Sequence, residues 1–596
     1  MMLTLVFAVA LAQAPGGAKV YEDNCAQCHS AAQQDPRTPA LSVLRQRTVD
    51  EILAALTTGK MREQGSNLTE AERRSVAAYL GTASAASAAS FAGMCTAAPP
   101  FDPSKGPSWM AWSPDANNTR FQPQPGIGSD QIPKLTLKWA FGFPNAAVAT
   151  GQPTIAGGRV FVGSQSGTVY ALDAKTGCIV WAFKAQSRVR AGVIIAPRAG
   201  MPGKYVAYVG DGRSNVYALD AATGEQIWTR TVEDHRSSNI TGTPVLYQNR
   251  LYVPVSSVEE GQGANPNYEC CTFRGSLVAL DASTGSLVWK TYTINAEAKP
   301  VGKNKAGATR WGPSGAGIWS SPTVDAKRHV VYAATGNMYT EPQQTTSDAI
   351  MAFDLDTGAI KWTSQATPQD VFVVGCGQLA GPNGSGANCP EADQLGPDFD
   401  FGQAPILAKA NGKDIIVDGQ KSGVGWAFDP DNKGKVLWQY RAGKGSALGG
   451  LEFGSAVDND QAYFAVSDTL TPNPGGLHAV KLSNGERSWF TPPPPSKCPP
   501  NTRCNTAILA AITVVPGAVF TGSNDGGVRA FSTKDGSLLW EYDTNREFQT
   551  VNGVPAKGAS ISGPGPVVAG GMVFVNSGYG SLGGRPGNVL LAFGLP

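Results

Sequence analysis

Charge is what this chain has least of. Asp, Glu, Lys and Arg make up 16% of its 596 residues, against ~25% in an average protein. The two signs nearly cancel, with 48 Lys+Arg against 46 Asp+Glu. The composition therefore gives no electrostatic reason to expect nucleic acid or an anionic membrane as partner. Beyond the first residues no stretch reaches about 18 uninterrupted apolar residues, which excludes a transmembrane helix in the mature chain. Low charge combined with 71 Gly, 42 Pro and 13 Trp excludes a coiled coil and disfavours a helical bundle. Aromatics at 9% exclude a disordered chain. What remains is a large all-β protein rich in tight turns, long enough for a second domain.

The chain starts MMLTLVFAVALAQA, an apolar run too short to span a bilayer. Ala10-Leu11-Ala12 and Ala12-Gln13-Ala14 both fit a cleavage site, and Pro15 favours the cut at Ala12. Residues 1–14 thus read as a signal peptide, with a periplasmic or secreted mature protein. Ten cysteines fit that oxidising compartment. Cys376/Cys389 and Cys498/Cys504 are near enough in sequence to close small loops, and Cys270-Cys271 are adjacent. Elimination then leaves Cys95 with Cys178, although spacing alone leaves other connectivities open.

Cys25-Ala26-Gln27-Cys28-His29 is C-x-x-C-H, the attachment signature of c-type haem. Two thiols one helical turn apart reach the two vinyl groups, and the next residue sets an imidazole on the iron. A zinc site would need more ligands, and residues 15–93 hold no other Cys or His. Met61, the one Met in that stretch, is the candidate sixth ligand. Met/His ligation raises a haem's potential, which suits an electron acceptor. Thr48-x-x-Glu51 and Thr69-x-x-Glu72 are capping boxes that open two helices. The first carries Ile52, Leu53 and Leu56 on its apolar face; the second runs to Leu80 with Gly81 as its stop. A small all-α cytochrome c domain is expected over 15–81, followed by an Ala/Ser-rich linker over 82–94.

From Leu137 onward the chain repeats. ALDAKTGCIVW starts at Ala171, ALDAATGEQIW at Ala218, ALDASTGSLVW at Ala279 and AFDLDTGAIKW at Ala352. AFDPDNKGKVLW, AVKLSNGERSW and AFSTKDGSLLW follow at Ala427, Ala479 and Ala530. In each unit an apolar strand meets a D-x-x-T-G turn, and the next strand carries Trp181, Trp228, Trp289, Trp362, Trp438, Trp489 or Trp540. A large aromatic at one fixed place suits wedging between successive sheets. A four-stranded sheet per period is a β-propeller. The chain ends in VLLAFGLP, a strand lacking its Trp partner, while LTLKWAF at 135–141 has Trp139 and nothing before it. The two halves make one composite blade, so eight blades are expected over 95–596, with no exposed sheet edge at the seam.

These D-x-x-T-G-x-x-x-W repeats resemble the quinoprotein alcohol dehydrogenases, which bind pyrroloquinoline quinone (PQQ) and Ca²⁺ on the propeller axis. A haem domain placed before the propeller resembles the cytochrome-fused polyvinyl alcohol dehydrogenases. ECCTFRGSLVALD, GPDFDFG, GGLEFGSAVD and VFVNSGYGSLGGRPGNVLLAF are similar to that family as well. The resemblance implies Glu260 in VPVSSVEEG as a calcium ligand, with Glu259 its rival, together with Asn337 in AATGN and Asp400 in GPDFDFG, with Asp398 next best. Arg190, Thr241 and Lys421 are implied as hydrogen-bonding or cationic contacts of PQQ, and Trp319 as the ring on which it stacks. Adjacent cysteines precede the Arg-bearing strand in the methanol dehydrogenases; here Cys270-Cys271 follow the acidic pair and either cover the cofactor or staple a loop.

The implied reaction is oxidation of polyvinyl alcohol or another secondary alcohol to a carbonyl. Asp400 is the general base, Ca²⁺ polarises the quinone, Lys421 stabilises the charge that develops, and electrons pass to the haem and then to an external carrier such as a soluble cytochrome c. His235, His329 and His478 fall in no matched motif and are weak candidates for the base. The rival readings are a PQQ dehydrogenase of another alcohol or sugar, and a non-enzymatic propeller scaffold.

Overall fold

A computed structural model describes residues 17–29, 39, 41–45, 47, 49–81, 92–97, 100–106, 108–381, 386–498, 504–581 and 583–596. The expected signal peptide over 1–14, Thr48 of the first expected capping box and most of the Ala/Ser-rich stretch lie outside these residues. The chain divides between Phe91 and Ala92 into two compact units. Among the described residues no helix is long and apolar enough to cross a membrane.

The first unit is helical: α1 (Gly17–Asn24), α2 (Ala26–His29), α3 (Leu41–Leu44), α4 (Val49–Thr57), α5 (Arg62–Ser66) and α6 (Glu70–Leu80). Val20 and Tyr21 of α1, Ile52 and Leu56 of α4, Leu68, and Val76, Ala77 and Leu80 of α6 form its core, with Leu53 packed at the margin. Both halves of the second capping box are present: Thr69 Oγ1 accepts from the Glu72 amide and the Glu72 carboxylate accepts from the Thr69 amide. Gly81 ends α6 in an extended conformation rather than a left-handed one. Its lack of a side chain serves packing, because a Cβ there would stand 2.6 Å from the Val49 amide nitrogen.

The second unit is a ring of eight antiparallel sheets, seven of four strands and one, around Arg250–Ser257, that gains a fifth short strand, Ser238–Asn239. Seven are built in chain order, from Thr154–Ala156 to Leu538–Asp543. The eighth pairs Thr136–Gly142 with Val589–Gly594, followed by Met572–Ser577 and Val567–Ala569. The seam between the ends of the chain is thus an ordinary strand pair, with Leu137 opposite Phe593.

One register recurs in every blade. The Ala of the A-[LF]-D element faces the blade's Trp: Ala171 with Trp181, Ala218 with Trp228, and so on to Ala592 with Trp139 across the seam. Each Trp then reaches the next blade. The indoles of Trp139, Trp181 and Trp228 donate to the carbonyls of Ala174, Ala221 and Ala282 over 3.0–3.1 Å. The turn glycine of that next blade lies on the indole face; a Cβ on Gly224 would stand 2.7 Å from Trp181, and Gly224 also has φ +79°. The turn and the tryptophan, separate features in the sequence, are the two sides of one inter-blade joint. At the seam Trp540 donates instead to Leu135.

Before the first blade, the segment around 109–122 is pinned by Arg120. This guanidinium is fully buried and has no carboxylate partner among the described residues. It donates to the carbonyls of Ile512 (2.7 Å), Trp112 (2.9 Å) and Pro564 (2.8 Å) and lies over the rings of Trp109 and Trp112. Upstream of that segment, Cys95–Cys178 ties the chain to the first blade, and Cys270–Cys271, Cys376–Cys389 and Cys498–Cys504 complete the disulfides.

Candidate functional site

In the helical unit, Cys25 and Cys28 stand on one turn, with the Cys28 and His29 amides both donating to the Cys25 carbonyl. His29 is buried, and its Nδ1 lies 2.8 Å from the Pro39 carbonyl. A carbonyl can only accept, so Nδ1 carries the proton and Nε2 keeps its lone pair for a metal. Burial, with Cys28 close by, raises the Cys25 thiol pKa. Met61 sits in the turn before α5 and packs, like Cys25, against the unit's core. These donors fit a covalently attached haem with a nitrogen and a thioether on iron.

In the propeller, the chemistry-bearing residues lie at one end of the blades. Glu260, Asn337 and Lys421 follow the second strands of their blades (Arg250–Ser257, Val330–Ala334 and Lys413–Gly419). Arg190, Trp319 and Asp400 lie on the segments that lead into first strands. Loops at one face of a rigid ring converge on its axis. Arg190, Thr241, Glu260, Trp319, Asn337, Asp398, Asp400 and Lys421 all line one cavity of ≈ 360 Å³.

Asp400 is its most constrained member. Oδ1 accepts from the Asn337 amide at 2.6 Å and Oδ2 from the Trp319 indole at 3.1 Å. Lys421 Nζ lies 3.7 Å from Oδ2 and 2.7 Å from Asp398 Oδ1, and the Lys421 amide donates to the Asp400 carbonyl. Burial works against charge on Lys421, but the carboxylates of Asp398, Asp400, Glu452 and Glu260 outweigh it and push its pKa up. Gly336 makes room for this geometry, since a Cβ there would stand 2.8 Å from Asp400 Oδ1.

The acidic neighbours at 259 and 260 have separate work. Glu259 is buried and accepts from Tyr268 Oη and from the amides of Thr272 and Phe273, so its oxygens are spent on holding that loop. This removes Glu259 from the metal-ligand set. Glu260 is half-buried on the cavity wall; its carbonyl accepts from the Val374 amide, and its carboxylate makes no hydrogen bond or ion pair among the described residues. Burial first, then the charge of Asp400, pushes its pKa up to about 8. Asn337 Nδ2 donates to the carbonyls of Met338 and Phe372, both at 2.9 Å, which orients the amide and leaves Oδ1 unclaimed. Glu260, Asn337 Oδ1 and Asp400 are a hard-oxygen donor set with excess negative charge, which fits Ca²⁺.

Other residues of the lining suit an anion. Arg190 has no acidic partner among the described residues; its guanidinium lies 5.1 Å from the Phe453 ring and 5.8 Å from that of Tyr579. Thr241 Oγ1 donates to the Trp319 carbonyl, and Trp319 meets Phe453 edge-on. Indole surface, an uncommitted guanidinium and an ammonium together fit a flat, anionic, conjugated ring.

Cys270 and Cys271 are fully buried, and the Cys270 carbonyl and Cys271 amide pair with Trp311; neither is among the residues that line the cavity. The spare histidines, weak candidates from the sequence, lie elsewhere too. His235 bonds Thr272 Oγ1, His329 pairs with Asp356, and His478 stacks on Phe490. The sequence reading missed Glu452, which lines the cavity from within the GGLEFGSAVD motif.

Comparison with known proteins agrees with both units. Residues 12–80 match the family model "Cytochrome C oxidase, cbb3-type, subunit III", and 233–374 match "Glucose/ethanol/alcohol dehydrogenase, beta-propeller domain". Residues 136–267 and 501–585 match "Outer membrane protein assembly factor BamB". The chain is 42% identical to a polyvinylalcohol dehydrogenase from Pseudomonas sp., over 97% of this chain and 93% of that one. It is 41% identical to another from Sphingopyxis sp. (strain 113P3), over 97% and 92%. The crystal structure of quinohemoprotein alcohol dehydrogenase from Comamonas testosteroni superposes with TM-score 0.57 at 18% identity, covering 82% of this chain and 80% of that one. That likeness bears on the fold, an eight-bladed propeller.

Proposed function

This chain belongs to the polyvinylalcohol dehydrogenase family, and from that premise we infer that it oxidises secondary alcohols of the polyvinyl alcohol type to ketones with PQQ and its own haem c. The reading assigns Cys25 and Cys28 to the haem attachment, His29 and Met61 to its iron, and Glu260, Asn337 and Asp400 to Ca²⁺. Arg190, Thr241, Trp319 and Lys421 are assigned to PQQ. Its last electron step goes to an external carrier protein, and its compartment is the periplasm, entered through a cleaved leader. Four disulfides suit that extracytoplasmic setting.

When bound, PQQ with Ca²⁺ supplies the two-electron acceptor for the carbon-bound hydrogen of the alcohol. The chain's residues do the rest. Asp400 takes the hydroxyl proton, its carboxylate aimed by the Trp319 indole and the Asn337 amide. Lys421, held charged between Asp398 and Asp400, places a fixed positive charge where negative charge develops. Val258, Val374, Leu379 and Leu448 give the cavity apolar lining that suits a hydrocarbon chain bearing hydroxyls.

The observation that carries this reading is the grip on Asp400: two donors and one ammonium converge on it beside the uncommitted Glu260 and Arg190. Asp400→Asn tests it. With PQQ and Ca²⁺ supplied, the variant is expected to lose at least about 10²-fold in alcohol-dependent haem reduction, the scale of a positioned general base, while its haem spectrum stays unchanged. Full activity in the variant rejects the assignment.

A further inference from the structure

The segment VFVNSGYGSLGGRPGNVLLAF reaches the Asp400 cavity at Tyr579 and Ser581, but its Arg585 lies outside that lining and has no part in the chemistry described above. Arg585 lines a separate cavity of ≈ 370 Å³ with Arg546 and Lys557, and Glu547 is the one acidic residue among the described residues of that lining. The backbone brings these cations together. Arg546 directly precedes one strand of a hairpin, Glu547–Phe548, and Lys557 ends the other, Ala556–Lys557. The loop bearing Arg585 is tied to the same region: the Arg585 amide donates to Ser560 Oγ at 2.8 Å, and the Asn588 amide to the Lys557 carbonyl at 3.0 Å. None of the three cations meets a carboxylate in an ion pair among the described residues. Other arginines of the propeller do: Arg310 with Glu341, Arg328 with Asp325 and Arg529 with Asp525, at 2.7–2.8 Å. Arg546 is held by neutral groups instead. It donates to Tyr542 Oη, and its guanidinium carbon lies 4.7 Å from the Tyr542 ring and 5.4 Å from that of Phe548. Arg585 is half-buried and donates to Asn545 Oδ1, and its Nε is shut from solvent without a hydrogen-bond partner. Two guanidinium groups are thus fixed in position with their charge unmatched, which lowers the ordering cost of binding an anion.

We propose that Arg546, Lys557 and Arg585 form a second binding site, separate from the Asp400 cavity, that takes a phosphate group, as the free ion or as a monoester. The site stands independently of the PQQ reading. A guanidinium fork pairs with two oxygens of a tetrahedral oxyanion, and an ammonium adds a point charge. Three cations against one carboxylate leave the lining a formal +2. A carboxylate ligand would bring one negative charge, whereas a phosphate monoester carries about −1.5 to −2 at pH 7. The phosphate therefore matches the lining more closely.

The test is isothermal titration calorimetry on the full chain with haem, PQQ and Ca²⁺, so that Arg190 and Lys421 are already engaged. Inorganic phosphate and glycerol 3-phosphate are the probes, each at constant ionic strength and neutral pH. Wild type is expected to bind one equivalent of either probe, and its thermal midpoint to rise with probe concentration. Arg585→Gln and Arg546→Gln should each bind at least about tenfold more weakly, the scale of one hydrogen bond to a charged group. Lys175 lies in a turn of the first blade and lines neither cavity, so Lys175→Gln should bind as wild type does. An unchanged haem spectrum and PQQ affinity in Arg585→Gln show that the fold is intact. Should that variant not fold, Arg546→Gln, altered at an exposed side chain, decides the matter. Tighter binding of glycerol 3-phosphate assigns the site to a monoester, and tighter binding of phosphate assigns it to the free ion. The proposal is overturned if neither probe gives saturable binding to wild type, if both arginine variants bind as tightly as wild type, or if Lys175→Gln loses as much as they do.

Discussion

Trp319 donates its indole N–H to Asp400 Oδ2 at 3.1 Å while offering its ring to the same cavity. One side chain therefore both shapes the floor and aims the carboxylate. Trp319→Phe keeps the aromatic surface and deletes the donor. A hydrogen bond to a charged group contributes about 1.5–3 kcal/mol, so kcat is expected to fall by about ten- to a hundredfold. PQQ affinity, read by cofactor titration, should change far less. Equal losses in both would mean that the indole acts as surface alone.

Gly336 makes a second, independent demand on Asp400. Gly336→Ala would drive a methyl to 2.8 Å from Oδ1 and displace the carboxylate. Misplacement of a reacting group by about 1 Å costs on the order of 10²-fold in rate. We expect that loss in kcat with little change in the thermal midpoint. Such a split separates misaiming from unfolding.

The blades were legible in the sequence because each repeats a short pattern whose parts lie within one strand–turn–strand, and the seam was legible because half a blade has no other use. The Cys25–His29 attachment motif was legible for the same reason, its residues lying along one turn. The cavity was less so. Neighbours as close as Glu259 and Glu260 face different surroundings, and spacing does not say which one a loop will consume. Glu452 lay inside a motif already singled out, yet nothing in the local pattern says that its Oε2 ends buried without a hydrogen-bond partner. Arg120 was silent for a related reason: the carbonyls that satisfy it come from residues 112, 512 and 564.

Calcium and protons should compete for the acidic wall. Burial raises Glu452 to about 7 and Glu260 to about 8, with the charge of Asp400 adding to each shift. In the unfolded chain these groups would titrate near 4. The folded, metal-free propeller thus holds protons that the unfolded chain releases, and the contribution of these groups to stability is fully present below about pH 4 and is lost as pH rises towards 8. Ca²⁺ supplies the charge that the ionised wall lacks. Calcium binding at pH 7 is expected to release protons and to tighten with rising pH up to about 8. Thermal midpoints from pH 5 to 8.5, with and without calcium, check this. A metal-free midpoint that rises over that range would contradict it.

Arg120 is the point where stability rather than chemistry is exposed. Its guanidinium is fully buried, and burial pulls its pKa down to about 9, so it is still charged at neutral pH. The charge is met by three carbonyl oxygens, the Thr513 hydroxyl and two indole faces. Trp112, one of those indoles, packs with Trp319 against the core of Phe453, Leu509, Ala511 and Tyr579. Arg120→Lys keeps the charge but loses the planar fork, leaving some of these acceptors unpaired. Each buried acceptor left without a donor costs about 1–3 kcal/mol. The propeller's unfolding midpoint in denaturant should fall clearly in Arg120→Lys and further in Arg120→Ala, while the haem unit's own transition stays in place. Because Trp112 shares a core with Trp319, the weakened variants should also bind PQQ less tightly below their unfolding transition. Unchanged binding would show that the segment bearing Arg120 braces the ring without shaping the cavity floor.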